Sequence, residues 1–238
     1  MSLQWGAALL AVIHHPLFAL GLTLGAYQLA LKGFEKTRSV LLQPVLLSVV
    51  GVVAVLSVCR IDLAEYQHNT EILGILLGPA TVALAVPLFL NLRRIRQLLW
   101  PTLATLVLGG AFATLSGLLL GWLLGADHAL LMTLAPKSVT SPIAMLVADQ
   151  LGGVAGMAAV FVLITGVIGT IVGPGLLTLL KVQAPEARGL ALGISAHAVG
   201  TSVALAEGEA CGAFAALGMS LMGVGTAIVL PLAISLFV

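Results

Sequence analysis

The sequence predicts an all-α integral membrane protein with about eight membrane segments, two or three of them broken or re-entrant, and with inverted internal repeats. Two observations predict this fold class. Ten Lys or Arg and nine Asp or Glu residues are the only charged ones among 238, a fraction of 8% where about 25% is usual in soluble domains. Hydrophobic residues make up 60% of the chain, and their runs reach the roughly 20 residues that cross a bilayer. A water-soluble globule is therefore excluded.

The apolar runs divide the chain into eight segments. In chain order they are 5–31, 39–59, 71–90, 101–124, 128–149, 153–180, 189–206 and 210–238. The first lacks the basic start of a signal peptide and is too long for one, which predicts a retained span. Glycines recur on one helix face and predict close helix packing. They are Gly117, Gly121 and Gly125 in the fourth segment, and Gly166, Gly169 and Gly173 in the sixth.

Three segments are interrupted. Pro79 and Pro87 divide the third, since proline disrupts a helix interior. The segments 128–149 and 189–206 each consist of two short apolar stretches around a polar centre, so neither is expected to be one continuous helix. We therefore predict two domains. Residues 1–70 form a two-span scaffold, and residues 71–238 form a repeat core broken near 78–87, 134–142 and 195–202.

An internal repeat relates the two polar centres. At an offset of 60, the stretch 138–145 matches 198–205, small residue with small and apolar with apolar. In the full spans that follow, Pro174 matches Pro231 after a short gap. The repeating unit is thus predicted to be one broken segment plus one full helix.

Basic residues in the loops predict the orientation. The first two basic loops lie two spans apart and contain Lys32, Lys36, Arg38, Arg93, Arg94 and Arg96. They belong on the same side, which the positive-inside rule makes cytoplasmic. Lys181 and Arg188 share that side only if 128–149 enters and returns without crossing, and the two repeats are then inverted, as in many secondary transporters. If both broken segments cross instead, only these two residues violate the rule, so both topologies stay open.

The polar centres hold the candidate site. A lysine in the membrane core is costly unless it is paired or solvated, so Lys137 marks a site. Half-helix N-termini beside it would direct free N–H groups toward an anion, and a carboxylate fits that chemistry. His197 could carry a proton near neutral pH. The predicted substrate-binding residues are Lys137, Ser138, Thr140, Ser141, His197, Gly200, Thr201 and Ser202.

Each of these residues also has a structural interpretation. Lys137 could reach the membrane surface along its own aliphatic chain. His197 could cap a helix, and Ser or Thr hydroxyls often bond to carbonyls of their own helix. The presence of two polar clusters at matching repeat positions favours the functional interpretation.

Composition and motifs exclude other classes of protein. The net charge of +1 and the scattered basic residues exclude a nucleic-acid partner. Cys59 and Cys211 show neither metal-ligand spacing nor a disulfide framework. Nucleophile-elbow, zinc and phosphate-loop patterns are absent, so we expect neither an enzyme nor a bound metal or cofactor.

Three stretches resemble the LrgB/CidB family, which includes the C-terminal half of the plastidial glycolate/glycerate translocator. They are LAPKSVTSPIAM (134–145), LGGVAGMAAVFVLITGVIGTIVGP (151–174) and ARGLALGISAHAVGTSVALAEGE (187–209). The likeness covers most of the chain and is strongest from 71 to 238. Ser202-Val203 stand where many relatives are expected to have a basic residue.

The resemblance implies two functions. One is transport of small monocarboxylates such as pyruvate, glycolate or glycerate; the other is holin-like or antiholin-like control of murein hydrolase activity and lysis. It also implies a small LrgA-like membrane partner and a multi-pass protein of the inner (plasma) membrane. Small-residue helix faces suggest a homodimer. Paired broken segments with a lone lysine favour transport by alternating access, since a holin pore does not need them.

Overall fold

The structure is a computed structural model that describes residues 11–37, 43–83 and 85–236. Every regular element in these ranges is a helix, which confirms the all-α prediction. The helices are α1 Pro16–Thr37, α2 Pro44–Cys59, α3 Leu63–Asn69, α4 Glu71–Ala83, α5 Ala85–Leu90, α6 Leu92–Gln97, α7 Leu99–Leu123, α8 His128–Leu134, α9 Ser141–Gln150, α10 Ala155–Leu179, α11 Pro185–Glu207 and α12 Glu209–Ser235.

The first span differs from its prediction at both ends. A turn at residues 14–15 interrupts the predicted run 5–31, whose first six positions lie outside the described residues. Helix α1 begins at Pro16 because proline has no N–H to donate within a helix and favours the first position. The Nδ1 atom of His15 accepts the backbone N–H of Leu17 at 3.2 Å. The helix then continues to Thr37, six residues past the predicted end.

The third segment is helical through the first of its two prolines. Helix α4 continues through Pro79 to Ala83, and α5 starts at Ala85. The predicted break at Gly78-Pro79 is therefore wrong, because membrane helices tolerate a proline by small backbone adjustments. Position 84 lies outside the described residues.

The chain divides into two compact units, residues 1–83 and 84–238. In the first unit, α1 packs against α2 and α3. The hydroxyl groups of Thr23 in α1 and Tyr66 in α3 are 2.6 Å apart, and His14 Nδ1 lies 2.7 Å from Glu65 Oε1. The functional division predicted at residue 70 stays a prediction.

Five helices within the described ranges are long and apolar enough to cross a membrane: α1, α7, α10, α11 and α12. Helix α2, with 16 residues, is apolar but shorter. The structure thus confirms a multi-span membrane protein, while the count of eight segments and their inverted relation stay predictions.

Helix α11 reverses direction at His197 and does not cross as a rod. Its backbone there has φ 43° and ψ −129°. Arg188, near one end of α11, donates two hydrogen bonds to Glu207 at the other end. Arg188 Nε donates to Glu207 Oε2 at 2.7 Å, and Arg188 Nη2 donates to Glu207 Oε1 at 2.9 Å. A straight helix would separate these residues by roughly 28 Å. We therefore describe α11 as a hairpin with a first arm, 185–196, and a second arm, 198–207.

The segment 128–149 also folds back. Thr133, near the end of α8, accepts the backbone N–H of Val154 through its Oγ1 atom at 2.8 Å. Val154 comes four residues after Gln150, the last residue of α9. The C-terminal end of α9 has therefore returned to lie beside α8. A segment that continued across the membrane would place it about 15 Å or more beyond the break.

At one end of the second unit, polar contacts connect the α6 region to the starts of α11 and α12. Arg94 in α6 donates from Nε to Glu186 at 2.7 Å, and Asn91 donates from Nδ2 to Glu209 at 3.2 Å. The starts of α11 and α12 therefore lie beside α6. Since the chain leaves this end through α7 and returns to it through α10, the α8–α9 segment makes no net crossing. The contacts support the re-entrant topology that the loop charges favoured.

Candidate functional site

The first polar centre is an irregular connection between two half-helices. Helix α8 ends at Leu134, α9 begins at Ser141, and we call residues 135–140 the first break. Pro142 stands in the first turn of α9, where its missing N–H costs nothing. The sequence predicted this break correctly, because a polar stretch bounded by prolines cannot continue the apolar helix.

Lys137 occupies this break and reaches a full-length helix. Its Nζ donates a hydrogen bond of 2.7 Å to the backbone carbonyl of Ala113, near the middle of α7. The same atom lies 3.5 Å from Ser138 Oγ. Within the described residues Lys137 forms no ion pair with a carboxylate. An ammonium has three N–H donors, so one strong bond to a carbonyl leaves capacity for an anion.

Three hydroxyl residues lie at or just before the start of α9. Ser138 is buried, with 4% of its surface exposed. Thr140 is the N-cap residue of α9 but forms no side-chain cap bond, and Ser141 is the first helical residue. The opening turn of a helix leaves backbone N–H groups without an intrahelical acceptor. Ser138, Thr140 and Ser141 thus lie within a few residues of both the lysine and these donors.

The second polar centre lies at the turn of the α11 hairpin. His197 is buried, and its Nε2 donates to the backbone carbonyl of Val162 in α10 at 2.9 Å. A positive φ is uncommon for a residue other than glycine, and such strain persists only where surrounding contacts hold it. This bond to α10 is one such contact.

Three further predicted site residues serve the hairpin itself. Thr201 Oγ1 donates to the His197 carbonyl at 2.9 Å, and the exposed Ser202 donates to the Val199 carbonyl at 2.7 Å. Both hydroxyls thus bond within their own helical arm, as the structural interpretation expected. A Cβ atom at Gly200 would collide with the Leu192 carbonyl, so glycine allows the two arms to approach. A role in binding stays a prediction for all three residues.

The two breaks contribute to one apolar core but share no polar contact. Val139 in the first break and Ile194 before the hairpin turn belong to the same buried cluster, together with Phe214 of α12. In the described part of the chain, no hydrogen bond connects Lys137 or its hydroxyl neighbours to His197. The structure therefore brings two separate polar groups into one core.

A cavity of about 550 Å³ lies between α7 and α12 but contains none of the predicted site residues. Its lining is mostly apolar and includes Leu106, Thr114 and Met222. Lys137, Thr140 and Ser141 are partly exposed, whereas Ser138 is buried.

Sequence reasoning missed the backbone partners of the two centres. The carbonyls of Ala113 and Val162 carry no signal in a sequence, because every residue has one. Gly125 was also misplaced on the packing face. It lies beyond the end of α7 with φ 82°, whereas Gly121 does pack, close to Leu131 and Leu134.

The comparisons with known proteins agree on one family. The model of the LrgB-like family matches residues 23–236. The chain belongs to the LrgB-like family. It is 37% identical over 216 residues to "Uncharacterized protein YxaC" of Bacillus subtilis (strain 168), an alignment that covers 91% of this chain and 94% of the relative. No solved structure matches the chain.

A second relative carries a functional name. This LrgB-like chain is 30% identical over 222 residues to "Antiholin-like protein LrgB" of Bacillus subtilis (strain 168), covering 93% of this chain and 96% of that protein. These matches confirm the resemblance inferred from the three sequence stretches. They do not name a substrate.

Proposed function

We propose that this LrgB-like protein transports small monocarboxylates of the pyruvate, glycolate or glycerate type across the plasma (inner) membrane by alternating access. The observation that carries the proposal is Lys137, a cation at the tip of a re-entrant segment, bonded at 2.7 Å to a carbonyl near the middle of α7. A charge at membrane depth is costly and is kept where it contributes to function.

The donors around Lys137 suit a carboxylate. Several hydrogen-bond donors lie within a short stretch of chain. They are the remaining N–H groups of Lys137, the hydroxyls of Ser138, Thr140 and Ser141, and the backbone N–H groups at the N-terminus of α9. A carboxylate offers two acceptor oxygens with about four lone-pair sites. His197, in the matching position of the second break, would couple transport to protons. Inverted re-entrant segments that meet near midplane are a recurring plan of secondary carriers.

Transport would be tested by uptake of labelled pyruvate or glycolate into proteoliposomes. We expect saturable uptake that Lys137→Ala removes or shifts to much higher substrate concentrations. Losing one charge-assisted hydrogen bond costs about 1.5–3 kcal/mol, which raises the half-saturation concentration roughly 10-fold to 150-fold. Lys32→Ala is the matched control, because Lys32 is an exposed lysine on α1. Unchanged uptake by Lys137→Ala would refute the assigned site.

A second candidate function is antiholin-like control of murein hydrolase activity and lysis. The relative named antiholin-like LrgB favours it. A lysis-controlling pore would release dyes much larger than pyruvate and would show little substrate selectivity. Size-graded dye release from the same proteoliposomes, with and without a small LrgA-like partner, separates the two functions. Native mass measurements in detergent would test the proposed homodimer.

A further inference from the structure

Two glycines of full-length helices lie directly against the two polar tip residues. A Cβ added at Gly117 in α7 would lie 2.8 Å from Lys137 Cε and 3.1 Å from its Nζ. A Cβ added at Gly166 in α10 would lie 2.7 Å from His197 Cε1 and 2.9 Å from Nε2. Cβ atoms essentially never approach other heavy atoms below 3.0 Å. Any larger residue at either position must therefore displace the tip side chain, which costs less for the flexible end of Lys137 than for the ring of His197.

The hydrogen bonds repeat the same relation. Lys137 bonds to the carbonyl of Ala113, four residues before Gly117, and His197 bonds to that of Val162, four residues before Gly166. In an α-helix the N–H of a residue bonds to the carbonyl four residues earlier. Each glycine therefore donates to the same carbonyl that the tip side chain contacts, and its missing side chain leaves that carbonyl accessible. A carbonyl oxygen has a second lone pair for the additional donor. The Ala113 carbonyl also accepts a longer bond of 3.3 Å from Ser116 Oγ within α7.

The two tips also correspond in sequence. Lys137 and His197 are 60 positions apart, the same offset that aligns 138–145 with 198–205. In both cases the tip follows the full-length helix that holds the glycine, and the intervening re-entrant arm runs back alongside that helix. We propose that Gly117 and Gly166 are equivalent positioning residues, each holding a tip side chain against a mid-helix carbonyl.

For Lys137, the positioning role of Gly117 bears on uptake and there rests on the transport function proposed above. Gly117 determines where the ammonium of Lys137 lies and which of its N–H groups face the first break. Substituting Gly117 should therefore alter the substrate concentration that half-saturates uptake more than the maximal rate. Gly166 should act in the same way on His197.

Thermal unfolding of detergent-purified protein tests the positioning role without any substrate. With Lys137 present, Gly117→Ala should lower the midpoint by roughly 2–4 °C or more. With Lys137→Ala, the same substitution should raise it, because the steric conflict is gone and alanine favours a helix. Gly166→Ala should likewise destabilise the protein less with His197→Ala than with His197 present, although a Cβ there would still lie 3.0 Å from Val199 Cγ2.

Matched controls come from the same two helices. A Cβ at Gly109 in α7 would meet its nearest atom at 3.9 Å, and one at Gly175 in α10 would meet nothing within 4 Å. Gly109→Ala and Gly175→Ala should shift the midpoint equally whether or not the tip residue is present. If Gly117→Ala alone does not fold, recovery of folded protein by Lys137→Ala supports the proposal, and no recovery overturns it.

The outcomes separate the two proposals. Equal midpoint shifts of Gly117→Ala in both backgrounds would overturn the positioning role, whatever the uptake data show. The midpoint shifts of Gly117→Ala could reverse between the two backgrounds while the wild-type protein takes up neither pyruvate nor glycolate. That result would overturn the transport function and leave the positioning role standing. Where uptake occurs, Gly117→Ala should raise the half-saturation concentration about tenfold and change the maximal rate less than twofold. A fall in maximal rate alone would contradict the positioning role.

Discussion

Cysteines placed at 188 and 207 should cross-link within one chain. The perturbation is Arg188→Cys with Glu207→Cys, after the two native cysteines, Cys59 and Cys211, have been replaced by alanine. Cys211 has to be removed because its Sγ lies 3.8 Å from Glu207 Oε2 and would compete for the reagent. The ion pair brings the two side-chain ends within 2.7 Å, whereas a continuous helix would separate the residues by roughly 28 Å. A short bis-maleimide spans only the first arrangement.

The ion pair itself should contribute measurably to stability. Its side chains are 15% and 25% exposed, which places it between a surface pair of about 0–1 kcal/mol and a buried charge-assisted bond of about 1.5–3 kcal/mol. We expect Glu207→Gln to cost about 1–2 kcal/mol, or roughly 2–8 °C in the unfolding midpoint. Exchanging the two charges in one protein should restore part of this loss.

Mass spectrometry of the cross-linked peptides provides the assay. Arg188→Cys with Ser235→Cys is the matched control, because Ser235 is exposed at the far end of α12. A 188–207 yield no higher than that control, in membranes as well as in detergent, would refute the hairpin. It would also remove the argument that α11 returns to the side from which it enters.

Three further outcomes follow from contacts of the second unit. Gly200→Ala should lower the unfolding midpoint by several degrees, because the added Cβ collides with a backbone carbonyl. Gly175→Ala, whose Cβ meets nothing, should not lower it. Equal effects of the two substitutions would contradict the close approach of the hairpin arms. Thr133→Val should lower the unfolding free energy by about 1–3 kcal/mol, because it leaves the Val154 N–H without its acceptor. No loss of stability would argue that α9 does not fold back. Arg94→Ala should lower the unfolding free energy by less than about 1 kcal/mol, because the arginine side chain is 55% exposed. This loss should shrink in high salt. A larger loss that does not depend on salt would argue against a surface ion pair.

The breaks were predictable because their causes are local. The polar stretch around Lys137 lies between two prolines, and no apolar helix can continue through it. The second break was predictable from Ser195, His197 and Gly200, which interrupt an otherwise apolar run. The interruption predicted at Gly78-Pro79 was wrong for a related reason: Pro79 lies inside helix α4, since a membrane helix tolerates a proline within apolar sequence.

The partners of the tips were not predictable because they depend on three-dimensional packing. Lys137 and Gly117 lie 20 positions apart, and His197 and Gly166 lie 31 apart, because the two glycines stand at different distances from the ends of their helices. The sequence assigned both glycines to helix packing in general. It could not show that each lies against a polar side chain, because many glycines on the same helices face apolar neighbours or open space. The return of α11 likewise depends on a contact between residues 19 positions apart.

The fold-back of α11 also bears on the order in which the protein is built. Each arm is too short to span a bilayer core of about 30 Å, and both arms pack against α12, which is synthesised afterwards. At 23 residues and with apolar composition, α11 resembles a spanning helix while α12 is still missing. Its final position therefore becomes stable only after α12, Glu209–Ser235, has been synthesised. A reporter fused at Glu207 would record the nascent arrangement of the chain, and topology mapping of this region needs tags placed in the complete protein.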